Sequence, residues 1–180
     1  HRTMDSLAWF DRRESNPKDS QQRSSVMPIR PLSEFLEHRN VRYQCYNHRP
    51  TYTAEATAHA LHLPGDIVAK TVLLRADDQL MLAVLPASEA IDLARFATLT
   101  GTHHVTLASE KDMASIAPLC DPGCLPPVGN LFGLPVYVAA SLAADDVIAI
   151  DSGTHTESVC MTYADFEMMV QPRVMRFSHH

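Results

Sequence analysis

Ile67-Val68-Ala69-Lys70-Thr71-Val72-Leu73-Leu74 is short, apolar and rich in β-branched residues, and it predicts a strand. A second apolar run, residues 80–85, follows after Ala76-Asp77-Asp78-Gln79, a connection of hairpin length. Lys70 is the only charge in the first strand before Arg75. Lysine is seldom fully buried unless it is paired or working. Lys70 is therefore either a functional cation or a side chain whose stem lies along the open face of a half-exposed strand.

The elements on either side of this hairpin are also legible. Leu32, Phe35 and Leu36 recur at helical spacing, and Asn40 tolerates the left-handed stop, so a helix over residues 32–39 is expected. Val41, Tyr43 and Cys45 alternate with polar residues as in a half-buried strand. Thr51 or Thr53 caps a helix over 54–61, which stops at Pro64-Gly65. After the hairpin, Ser88 is expected to cap a helix over 89–99 that Gly101 ends. Ser109 with Asp112 starts another over 110–117. Strands follow at 134–138, 147–150 and 157–161, with Ser141 capping a short turn between the first two. Thr162 with Asp165 then opens a helix whose stripe is Phe166, Met169 and Val170. Helices and strands interleave irregularly, so the class is α+β with a mixed sheet.

A chain of 180 residues, 46% hydrophobic, is about one domain with room for a core. Residues 1–27 are polar and aperiodic and read as a tail, the domain is placed at 28–172, and 173–180 reads as a second tail. The apolar runs are too short for a membrane span and no secretory leader is visible, so a cytoplasmic protein without a membrane partner is expected. The net charge of −6 is the wrong sign for wrapping nucleic acid, so any such contact must be local. Cys45, Cys120, Cys124 and Cys160 are scattered, and the histidines show no ligand spacing. Neither a disulfide framework nor a metal is expected, and no cofactor motif is present.

Chemistry concentrates in three places: Lys70, the loop Asp121-Pro122-Gly123-Cys124-Leu125-Pro126-Pro127-Val128-Gly129-Asn130, and the turn Gly153-Thr154-His155. Prolines stiffen such a loop while glycines let backbone N–H groups approach an anion or an oxyanion, although Gly and Pro also mark ordinary crossing loops. No Gly-x-Ser-x-Gly elbow, His-Glu-x-x-His pair or cysteine with an obvious histidine partner is present.

Lys70-Thr71 in its strand, Gly123-Cys124-Leu125-Pro126-Pro127, Gly153-Thr154-His155 and Tyr163-Ala164-Asp165-Phe166 occur in the order and spacing of one family. Over essentially all of residues 28–171 the chain resembles the YbaK and prolyl-tRNA synthetase editing domains, which are aminoacyl-tRNA deacylases. The resemblance implies a mixed, strongly curved β-sheet flanked by helices. It also implies hydrolysis of a wrong amino acid from the 3′ end of a tRNA, that for proline or a related one, with the neighbouring ribose hydroxyl helping to activate the water. Lys70, Gly123, Gly153 and His155 would be the catalytic set, and Thr51, Thr53, Thr71, Pro126, Pro127 and Gly129 would bind substrate. The partners implied are the aminoacyl-tRNA 3′ end and an aminoacyl-tRNA synthetase. Members of the family often carry Asp just after the strand that follows the loop, where this chain has Ala139-Ala140. A catalytically silent module that binds a tRNA end or a protein is the alternative.

Overall fold

The computed structural model describes residues 30–180. The expected tail of residues 1–27 and the expected domain start at Pro28 lie outside the described residues. Helix α1 (Arg30–His38) buries Leu32 and Leu36 completely and turns at Asn40, whose φ is 53°. Strand β1 (Gln44–Asn47) leads to helix α2 (Ala54–Leu61). Of its two candidate caps, Thr53 accepts the Ala56 N–H, while Thr51 Oγ1 lies 2.7 Å from Thr57 Oγ1.

Strands β2 (Ala69–Ala76) and β3 (Gln79–Pro86) form the expected hairpin, paired from Ala69 opposite Pro86 to Ala76 opposite Gln79. Asp77 and Asp78 occupy its turn with φ of 45° and 68°. Two positive φ values make the mirror-image turn that suits strand twist, and Asp tolerates them better than most residues. The chain continues through β4 (Ala90–Ile91), α3 (Leu93–Thr100), β5 (Val105–Leu107), α4 (Glu110–Ile116), β6 (Val136–Ala139), α5 (Ala140–Ala143), β7 (Val147–Asp151), β8 (Glu157–Thr162), α6 (Tyr163–Val170), β9 (Arg173–Met175) and β10 (Ser178–His179).

These strands do not make one strongly curved sheet, and that expectation is corrected. They divide into a five-stranded sheet ordered β5-β2-β3-β6-β9, a three-stranded sheet ordered β1-β8-β7, and the pair β10-β4. The physical cause lies on one edge of β2. Its other edge pairs with β3 along the whole strand, whereas this edge meets β7 only at the parallel bridge Val68–Ala149 and then takes β5 from Leu74 to Ala76. The two larger sheets therefore part beside residues 70–72.

The main core fills the space between them. It draws Leu82, Val84 and Val138 from one sheet and Ile148, Ile150 and Val159 from the other. Neighbouring residues Ala83 and Leu85 face a second cluster around Phe96 and Phe177. Burial on both faces explains why 80–85 is apolar without alternation.

Three local expectations also fail. Residues 173–180 are not a tail: β9 pairs with β6, β10 pairs with β4, and Phe177 is fully buried with its ring 5.3 Å from Phe96. The helix expected over 89–99 begins only at Leu93, capped by Asp92, because Ala90 and Ile91 are taken by β10. Ser88 instead donates to Asp66 at 2.6 Å, and Ser141 does not cap its turn but donates to the buried Glu89 carboxylate, as Ser178 also does. The capping box of Ser109 with Asp112 and the Thr162 cap on Asp165 N–H are present.

Candidate functional site

A small cavity of about 60 Å³ opens where the two sheets part, between β2, the start of α2, the loop before residue 125 and the turn after β7. Lys70 reaches it from β2, opposite Leu85 in the hairpin. Its side chain keeps 27% of its exposure, and Nζ stands 3.8 Å from Glu55 Oε1 on α2. That is a long ion pair, so the cation is confined without being neutralised at contact distance. Thr71 follows on the same wall with its hydroxyl buried and, among the described residues, no hydrogen-bond partner.

The loop and the late turn, 30 residues apart in sequence, are stitched together at this cavity. Asp121 N–H donates to the Gly153 carbonyl at 2.8 Å, and the Asp121 carboxylate accepts the His155 N–H at 3.2 Å. Gly153 makes the turn with φ of 106°, a value that a residue with a side chain adopts only under strain. His155 then points back: its Nδ1 is 2.9 Å from the Thr51 carbonyl and 3.0 Å from Cys124 Sγ. A carbonyl can only accept, so Nδ1 carries a proton, and among the described residues no hydrogen bond engages Nε2. Tyr52, 77% exposed, packs its ring 4.6 Å from the His155 ring at the rim.

Cys124 is a cysteine with a histidine partner, which no sequence spacing revealed. Burial, then the charges of Asp151 and Asp121, push its thiol up to about 12, so at neutral pH it is a protonated thiol and no nucleophile. Asp151, the last residue of β7, lines the same cavity, and burial raises its carboxyl to about 7. Glu157 at the start of β8 lines it as well and is fully buried; desolvation raises its carboxyl, and the neighbouring Cys45 thiol partly offsets that. His48 completes this side, with Nδ1 2.8 Å from the Arg49 carbonyl and Nε2 3.1 Å from Ser158 Oγ.

Of the residues singled out in the sequence, Lys70, Thr71, Thr51, Thr53, Gly123 and His155 line the cavity. Gly123 has φ of 81°, and its N–H meets Met113 Sδ at 3.5 Å. Gly153 supports the site through its carbonyl without being part of the lining. Pro126, Pro127 and Gly129 are buried elsewhere. At Gly129 an added Cβ would stand 2.1 Å from the Leu134 carbonyl oxygen, so this glycine serves close packing. Ala139, at the position of the family's Asp, is buried among the second cluster with Phe96. Sequence reasoning missed Asp151, Glu157, Cys124 and Tyr52 as site residues. A carboxylate closing the apolar run 147–151 and another opening the run 157–162 were the available signal. Among the described residues, no group of three or more His, Cys, Asp or Glu could hold a metal ion, and no helix is long and apolar enough to cross a membrane.

Solved structures share this fold. The chain superposes with a TM-score of 0.75 at 19% identity on a candidate trans-editing enzyme for prolyl-tRNA synthetase, over 87% of this chain and 100% of that one. The hypothetical protein APE2540 gives 0.74 at 16% identity, over 83% and 99%. A scaffold from the computational grafting of linear epitopes gives 0.72 at 20%, over 84% and 97%. At such identities the likeness concerns the fold alone. No curated protein matches the sequence. The family model of the aminoacyl-tRNA editing domain matches residues 48–168, a span that holds every residue of the cavity lining and more than half of the chain. The chain therefore belongs to the aminoacyl-tRNA editing domain family.

Proposed function

We propose that this protein is a trans-acting aminoacyl-tRNA deacylase, a hydrolase that removes a wrongly attached small amino acid from the 3′ end of a tRNA, that for proline or a related one. The observation that carries the reading is the confined Lys70 cation and the His155 imidazole on one small cavity, in a chain of the editing-domain family.

The reaction asks little of the protein because an aminoacyl ester is already activated. Water attacks the acyl carbon, the tetrahedral oxyanion forms, and the bond to the ribose oxygen breaks. In this reading Lys70 Nζ stabilises the developing oxyanion, the larger contribution in reactions of this type, and its place on the cavity wall supports that role. The proton from water goes to His155 Nε2 or the vicinal ribose hydroxyl and from there to the departing ribose oxygen, so no charge is left over. Gly123 supplies close backbone approach, while Thr51, Thr53 and Thr71 shape the wall. A cavity of about 60 Å³ suits small side chains. Contact with the tRNA stays local in this reading, consistent with a net charge of −6. An aminoacyl-tRNA synthetase that releases such mischarged tRNA is the natural partner.

Purified protein incubated with a panel of mischarged tRNAs should deacylate at least one of them in single-turnover experiments. Hydrolysis of none, with tRNA binding retained, would establish the silent binding module instead.

A further inference from the structure

The cavity holds two carboxyl groups that the reaction above does not use. The parallel bridge Val68–Ala149 places Lys70 two residues beyond it on β2 and Asp151 two residues beyond it on β7. Side chains alternate along a strand with a period of two, so both leave on the face of the bridge, and both line the cavity. Yet the ion pair of Lys70 is with Glu55, on the other side, and no hydrogen bond or ion pair engages the Asp151 side chain among the described residues. Glu157, at the start of β8, lines the cavity as well, fully buried, and among the described residues neither of its carboxyl oxygens meets a donor in hydrogen-bonding geometry. Carboxyls withdrawn from water, Glu157 wholly and Asp151 in part, are costly without a counter-charge and need an explanation. Against these two the lining sets one amine, Lys70, and what the cavity lacks is a second cation.

An aminoacyl ester carries such a cation, its α-ammonium group, one carbon away from the carbonyl under attack. We infer that Asp151, with Glu157 on the same cavity, is the subsite for this free α-ammonium group, so that the substrate class is aminoacyl-tRNA with an unblocked amine and N-acylated or peptidyl-tRNA is rejected. The inference rests on the deacylase reading and adds to it a specificity determinant. Discrimination follows from burial, since an N-acyl group removes the charge and leaves Asp151 unpaired beside added bulk.

The test uses the best member of the mischarged-tRNA panel and the same molecule N-acetylated with acetic anhydride, each with wild type, Asp151→Asn and Glu157→Gln, under single turnover. Wild type should hydrolyse the free-amine form at least tenfold faster, about the worth of one charge-assisted hydrogen bond. Asp151→Asn should lose most of that preference, chiefly by slowing the free-amine substrate. Equal rates of wild type on both forms would overturn the inference and leave deacylation standing. A preference that survives both substitutions would overturn the assignment to these carboxyls. Failure of wild type on every member would remove the deacylase reading and this inference together.

Discussion

The two ends of β2 carry one cation each and have opposite characters. At the far end Arg75 Nη2 holds Asp112 Oδ1 at 2.7 Å, and the Asp77 carboxylate accepts the N–H groups of His103 and His104 at 2.8 to 3.1 Å. Hydrogen bonds there lower both carboxyls below their ordinary range. At the near end, among the described residues, Lys70 has a 3.8 Å ion pair, Thr71 Oγ1 and both Glu157 oxygens have no hydrogen-bond partner, and burial raises Asp151 and Glu157. Satisfied polar groups hold a fold together, whereas unsatisfied ones store a cost that a ligand can relieve. The difference supports the proposal of a site at the near end, with the far end as scaffold.

The largest expected effect separates the two cations. Lys70→Ala should slow deacylation about a hundredfold, as loss of one oxyanion donor does, with little change in Tm because a confined charge is removed together with its contacts. Arg75→Ala should leave the single-turnover rate alone and lower Tm slightly. Equal rates for wild type and Lys70→Ala would erase the distinction.

The carboxyls sharpen it through the sign of a pH dependence. Asp151 rises from 3.8 to about 7 on folding. The folded protein therefore holds a proton there that the unfolded chain releases, and the stability this contributes is present below pH 4 and lost as pH climbs towards 7. A shift of three units is worth at most about 4 kcal/mol. Asp151 keeps some contact with solvent, so Asp151→Asn should be more stable than wild type at pH 8 by on the order of 2 kcal/mol, the gap closing below pH 4. Asp112 is the mirror case: its lowered carboxyl contributes stability that is present above its unfolded value and lost as pH falls through the folded one. Asp112→Asn should thus be the less stable protein at neutral pH. Denaturant titrations at several pH values decide both, and curves of the same sign would break the comparison.

The smallest effect is expected at Cys124. As a protonated thiol it takes no part in bond making, so Cys124→Ala should keep its rate within about threefold, against a loss of several orders of magnitude for a nucleophile. A collapse of that size would put the chemistry on sulfur instead of on water.

The hairpin, the Asn40 stop, the Thr53, Ser109 and Thr162 caps and the isolated cation in β2 were legible in the sequence because each is decided within a few residues. So was the family, because its motifs are read in order along the chain. The separation of two sheets was not, since nothing local in Val68 or Leu74 says that one strand edge will be shared by β7 and β5. Nor could the sequence say that Asp121 would tie to Gly153, that Cys124 would meet His155, or that Phe177 would pull residues 173–180 into the core. Those contacts join segments about 30 to more than 80 residues apart, and their register is set by how whole sheets pack. Tertiary structure alone decided that Asp151 and Glu157 would share one cavity with Lys70 and be desolvated there, because desolvation, which raises both carboxyls, is a property of the packed core and not of the neighbouring residues in the chain.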